Sequence, residues 1–169
     1  MAQITQANVI GRSQNRTALG MMAAYLKMHP NTTLGQLNAK FPKQKIAPDC
    51  GIGKLFYSLD EIEQEKREGN QWFIVGNACF VADDEWLVLS SGQKVAFNKV
   101  WTANSLALLQ KELAKSSIYG EVGSVQKGVP AGFVVNYEYT KKGVPNWAWI
   151  LLVIAVVIVG YLAYATFSK

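Results

Sequence analysis

Residues 24–42 read AYLKMHPNTTLGQLNAKFP, and in that short run one helix closes and the next opens. Met28, His29 and Pro30 stop the first, because a proline disfavours the α region for the residue before it. Thr33 and Gln36 have the spacing of a capping box, in which each side chain answers the other residue's backbone N–H. Pro42 ends the second helix at about Lys40. Upstream, Leu19, Met22, Ala23 and Leu26 share one face and predict a helix over residues 16–28. Before it, residues 1–13 offer only the apolar pair Val9 and Ile10, and are expected to be a flexible N-terminus.

Downstream, residues 43–54 are rich in Lys, Pro and Gly and read as a loop. Ser58 and Glu61 repeat the capping-box spacing and open a charged helix to about Glu68, which Gly69 and Asn70 end. Then the period changes. Residues 71–76 and 78–82 are apolar and β-rich, and residues 85–90 and 94–100 flank the turn signal Ser91-Gly92. Together they predict a small antiparallel sheet. Asn104 or Ser105 is placed to cap a helix over residues 106–114, with Leu106, Leu109 and Leu113 facing inward. Residues 118–140 carry one expected strand, 133–139, and KGVP recurs at 127–130 and 142–145 as turn chemistry.

Helix, short helix, helix, then a β-hairpin is an order that resembles the winged helix-turn-helix superfamily. The stretch AYLKMHPNTTLGQLNAKFP resembles its first two helices, and the likeness extends over residues 16–100. The resemblance implies a small winged-helix-like domain. That family often reads duplex DNA through its third helix. Here the matching segment, SLDEIEQEKRE, sets five acids against Lys66 and Arg67, which repels phosphates. Many members of the superfamily are protein-interaction modules, and the resemblance implies that role here.

No charged residue lies between Lys142 and Lys169, and the chain is only 17% charged against about 25% for an ordinary domain. Residues 147–167, WAWILLVIAVVIVGYLAYATF, form an uncharged run of twenty-one. As a helix it spans about 31 Å, matching the hydrocarbon core of a bilayer. Trp147 and Trp149 stand at one end and Tyr161 and Tyr164 near the other, as interface anchors do. Gly160 with Ala163 forms a small notch for another helix. The expected class is therefore α+β: a small winged-helix-like cytoplasmic domain, helices then antiparallel strands, followed by a single C-terminal transmembrane helix. The expected divisions are 1–13 flexible, 14–118 the α+β domain, 119–146 a β-rich juxtamembrane linker, and 147–167 the anchor. The N-terminus lacks a signal peptide's apolar core, and Lys141 and Lys142 precede the anchor, so the positive-inside bias places the N-terminal domain in the cytoplasm. That is the layout of a tail-anchored, single-pass membrane protein.

Charge is segregated. Residues 1–54 carry net +6, residues 55–93 net −6, and residues 94–146 net +4. Lys127, Lys141 and Lys142 are assigned to an anionic membrane surface. Arg12, Arg16, Lys40, Lys43 and Lys45 are the candidate surface for a protein partner or nucleic acid, with the acidic middle block, in the same chain or a second copy, as a further destination.

Little points to catalysis. His29, the only histidine, sits at a helix end where the dipole favours it. Cys50, Cys79 and His29 lack metal-ligand spacing, and no metal or cofactor is expected. Residues 51–54, GIGK, fail the phosphate-loop pattern at Pro48 and Leu55. Asp83, Asp84 and Glu85 read as a turn. Cys50, between Lys45 and Lys54, is a candidate low-pKa redox thiol. Trp72, Trp86 and Trp101 fall at expected strand positions, with core packing the default and exposure as a partner anchor the alternative. The expectation is a tail-anchored, non-catalytic binding or adaptor module, touching the lipid bilayer and a protein partner or a second copy. The alternatives are an oligomeric effector that perturbs the bilayer, and a membrane-tethered DNA-binding regulator, with nucleic acid the less favoured partner.

Overall fold

The structure is a computed structural model, and it describes residues 2–140. Strand β1, Ile4–Gly11, is the middle of a three-stranded sheet. It runs parallel to β6, Ile118–Val122, and antiparallel to β7, Phe133–Tyr139. Ala7 and Val9 point inward and are buried, alternating with the outward Gln6, Asn8 and Ile10. Helix α1, Gln14–Met28, lies against this inner face. Its approach is close: a Cβ on Gly20 would stand 2.7 Å from the Val9 side chain, and one on Gly120 of β6 would collide with the Met21 sulfur. Helix α6, Ala103–Ala114, packs on α1 and β6.

Between α1 and α6 the chain builds α2 (Leu34–Lys40), α3 (Lys43–Ile46), β2 (Phe56–Ser58), α4 (Leu59–Arg67), α5 (Gln71–Ile74), β3 (Cys79–Phe80), β4 (Leu87–Val88) and β5 (Lys94–Asn98). Strand β5 is the centre of the second sheet, antiparallel to β2, β3 and β4. It is buried on both faces. Val95 and Phe97 join Phe56 and Phe80 in the main core, while Ala96 joins Tyr57 and Cys79 in a smaller cluster with Ile62 of α4 and Phe73 of α5. An aromatic chain runs through the main core from Tyr25 to Phe41, Phe56, Phe97 and Trp101, with ring centroids 5.1, 6.2, 5.1 and 5.3 Å apart in turn. Burying a ring of this kind contributes roughly 2 kcal/mol. These elements form one unit, Ile4–Tyr139. Outside it, Thr140 N–H donates to the Gln3 carbonyl at 2.9 Å.

Several expectations are corrected. Residues 1–13 are not a flexible N-terminus, since β1 is the strand on which the first sheet depends. Residues 119–139, read within a linker, hold most of β6 and all of β7. Residues 71–76 form the one-turn helix α5 and no strand, with the Asn70 side chain accepting the Trp72 N–H at 3.2 Å. The loop at 43–54 begins with the turn α3. Thr102, rather than Asn104 or Ser105, caps α6, accepting the Ser105 N–H at 3.1 Å. The order of helices followed by antiparallel strands is also overturned. A strand precedes α1, β2 separates α3 from α4, and the first sheet is mixed, so nothing in the arrangement identifies a winged helix.

The class remains α+β, but its membrane part is withdrawn. Among the described residues no helix is long and apolar enough to cross a membrane, and the longest, α1, has fifteen residues. The segment 147–167 on which the transmembrane and tail-anchored reading rested lies outside the described residues.

Candidate functional site

One apolar surface lies on the outer layer of the second sheet. Ser58 opens α4 with a complete capping box: its hydroxyl accepts the Glu61 N–H, and the Glu61 carboxylate accepts the Ser58 N–H at 2.7 Å. Ile62 then turns down onto the sheet. Asn70 ties the next turn to α4, donating from Nδ2 to Glu65 Oε2 at 2.8 Å while its Oδ1 caps α5. Phe73 anchors α5 from beneath, edge-on to Tyr57 at 5.1 Å. The Trp72 carbonyl accepts from both Asn77 and Ala78 N–H, at 3.0 and 3.1 Å.

This fixed turn presents apolar side chains to water. Trp72 is 51% exposed, Ile74 48%, Val75 60% and Val81, just beyond β3, 37%. Ile74, Val75 and Val81, though not Trp72, border a groove of about 220 Å³ together with Ile62, Lys66, Phe73 and Cys79. Isolated exposed apolar residues are commonplace, but a cluster next to a groove marks an interaction surface. Tryptophan is also the side chain most enriched at binding hot spots. Trp101 is buried and donates its indole N–H to the Asn98 carbonyl at 2.8 Å, and Trp86 is partly buried against the smaller cluster. Of the three tryptophans read from the sequence, Trp72 is the exposed one.

Of the five candidate basic residues, Arg16 alone is drawn into the interior. Arg16 faces inward, paired with Glu85 at 2.5 Å, stacked over the Phe80 ring at 4.7 Å and donating to the Ala131 carbonyl at 3.2 Å. Lys45 pairs with Glu112 at 3.1 Å. Lys43 donates to the Pro48 carbonyl at 3.2 Å, and Lys40 lies 4.8 Å above the Tyr25 ring. Arg12 is exposed next to Gly132, and Lys127 is exposed in the β6–β7 connection. Lys141, Lys142, Trp147, Trp149, Gly160, Tyr161 and Tyr164 lie outside the described residues.

The chemical candidates resolve into structural roles. Cys50 is buried in the main core, donating to the Val100 carbonyl at 2.9 Å and accepting from Asn98 Nδ2 at 3.0 Å. Burial pushes its thiol up, so the expected low-pKa redox role is overturned; Lys45 and Lys54 are occupied by Glu112 and Glu61. Burial pushes Cys79 up to about 12. Asp84 accepts the Ala131 N–H at 2.5 Å and so holds the β6–β7 connection in place, with Ala131 at φ +53°. Among the described residues no group of three His, Cys, Asp or Glu is arranged to hold a metal ion.

His29 borders an open cleft of about 760 Å³ between the end of α1 and α2, with Tyr25, Gln36 and Lys40 also lining it. Its Nε2 is enclosed and has no hydrogen-bond partner. Burial first, and the Lys40 charge second, lower its pKa below 6.5. No second acid, base or nucleophile lines that cleft besides the Tyr25 and Lys40 pair and Thr32.

Comparison with family models, characterised proteins and solved structures returns no match to this chain.

Proposed function

We propose that the chain is a non-catalytic binding module, an adaptor that engages a partner protein through the surface formed by Trp72, Ile74, Val75 and Val81. The observation that carries this reading is a half-exposed tryptophan on a capped, core-anchored turn whose neighbours Ile74 and Val75 are exposed with it. The backbone of that turn is held by its cap and by Phe73, so little backbone entropy is lost when a partner covers it. The inward-facing Arg16 and the paired Lys45 support a protein partner over nucleic acid, because phosphate binding needs free cations gathered on one surface.

The reading is tested with a photo-crosslinking amino acid placed at position 72 of the full chain, expressed in its native cells, and at position 119 as an exposed control on the first sheet. The expected result is a discrete protein adduct from position 72 that position 119 does not give. Equal adducts from both positions, or none from either, overturn the proposal.

A further inference from the structure

We propose that the open cleft between the end of α1 and α2 is a binding site for a small organic acid, its apolar body against Met28 and Pro30 and its carboxylate on Lys40. The site is separate from the protein-binding surface at α5 and does not rest on that reading.

The dimensions suit such a ligand. The cleft holds about 760 Å³, within the roughly 300–1,000 Å³ of small-molecule sites. Met28, Pro30 and Ala39 supply apolar wall. The Tyr25 and His29 rings, also in the lining, stand 4.4 Å apart as a tilted pair.

The charge of the lining has one sign. Lys40 is its one charged side chain, and no Asp or Glu borders the cleft. Among the described residues Lys40 makes no ion pair. Its ammonium is placed by two rings, 4.8 Å above Tyr25 and 5.8 Å above Phe41, and keeps its N–H donors. Gln36 accepts the Thr33 N–H at 2.8 Å through Oε1, which leaves its Nε2 to donate. The Thr32 hydroxyl is already committed, donating to the His29 carbonyl at 2.8 Å. Two uncommitted donors, one of them charged, with no carboxylate beside them select an anion and repel a cation. The last carbonyls of α1 form the negative end of that helix dipole, so the ligand's carboxylate belongs on the α2 side, at Lys40.

His29 adds an unmet hydrogen bond. Its ring lines the same cleft, and its Nε2 is enclosed without a partner, whereas buried polar atoms nearly always have one. A turn of the ring towards the bound acid supplies an acceptor. Burial first and the Lys40 charge second hold its pKa down. A carboxylate on Lys40 offsets the second of these, so the ring takes a proton more readily once the acid is bound. Tyr25, His29 and Lys40 are the titratable groups of the lining, and His29 is the only histidine of the chain, so one ring signal reports on the site.

The test follows the His29 ring signal of the full chain by NMR across pH, with four probes at one ionic strength. Benzoate has both the apolar body and the carboxylate. Benzyl alcohol lacks the charge, benzylammonium reverses it, and inorganic phosphate lacks the body. Benzoate is expected to bind saturably and to raise the His29 pKa, and the other three to bind about tenfold or more weakly. Lys40→Gln is expected to weaken benzoate about fivefold and to remove the benzoate-induced rise, while Lys127→Gln, an exposed lysine of the β6–β7 connection, changes neither. Binding of any comparison probe as tight as that of benzoate overturns the assignment, as does equal weakening by the two lysine variants. Saturable benzoate binding that leaves the His29 signal unmoved places the acid elsewhere and overturns it too. The four probes are compared on the unaltered chain, so that outcome stands whether or not a lysine variant folds.

Discussion

Arg16 shows how much one side chain can decide. It lies on the first turn of α1, yet its guanidinium crosses to Glu85, just before β4, and to the Ala131 carbonyl next to β7. Both side chains of the pair are nearly enclosed, at 13% and 9% exposure. Removing one partner leaves the other's charge buried, a cost of about 3 kcal/mol. Glu85→Gln and Arg16→Met are each expected to lower the urea midpoint strongly, and the double variant Arg16→Met with Glu85→Leu to recover a large part of the loss. Two single losses that simply add in the double variant would show the pair is not coupled. His29 makes a second residue-scale prediction. Burial and then Lys40 hold its folded pKa below 6.5, so the folded chain keeps a neutral ring where the unfolded chain begins to protonate. Its contribution is therefore intact above pH 6.5 and is lost as the pH falls from there towards the lowered value. Urea melts across that window are expected to show stability declining with acid, and His29→Gln to flatten the decline. The carboxylate Glu112 acts in a separate window. Hydrogen bonds from Lys115 and then Lys45 keep it below its ordinary 4.5.

At the scale of elements, legibility followed local chemistry. Both capping boxes formed, and α2 and α4 begin where Thr33 and Ser58 place them. Strand β7 matches its alternating pattern, apolar Phe133, Val135 and Tyr137 on one face. Strand β1 was hidden because its buried face is Ala7, Val9 and Gly11, small residues that let α1 come close and leave almost no hydrophobic signal. Strand β6 was hidden likewise by Gly120. Helix α5 failed for a different reason. Three apolar or amphipathic residues after Gln71 fit a buried strand as well as a helical turn, and Asn70 reads equally as the end of α4 or the cap of α5. The exposure of Trp72 depended on that distinction: as a strand residue its burial was the default, whereas on α5 only Phe73 turns inward. The corrected role of β1 is directly testable. Deleting residues 2–11 is expected to abolish cooperative unfolding, because β6 and β7 each pair with β1 and not with one another. A truncated chain that still melts sharply would return those residues to the status of a tail. Gly20→Ala is a milder probe of the same contact. Its Cβ meets Val9 and Phe133 at 2.7 Å, and overpacking of this kind costs about 1–3 kcal/mol, more than the helix propensity gained.

For the whole molecule, the charge blocks of the sequence become ties between layers. Arg16 and Lys54, from the basic N-terminal block, close onto Glu85 and Glu61 of the acidic block, so of the candidate basic residues Arg16 is taken up by the fold. Trp72 is exposed on the layer that α4 and α5 form over the second sheet. That layer covers the smaller of two hydrophobic clusters and consists of short elements, nine residues in α4 and four in α5. Few buried contacts and short helices mean local opening at lower free energy than the main core. The two cysteines report on the two clusters separately. Cys79 belongs to the smaller cluster and Cys50 to the main one. Burial raises both thiols, so each reacts with a disulfide reagent only when its surroundings open. Under native conditions Cys79 is therefore expected to be modified before Cys50, read by mass spectrometry of the quenched protein over time. Cys50 reacting first would place the weak region in the main core.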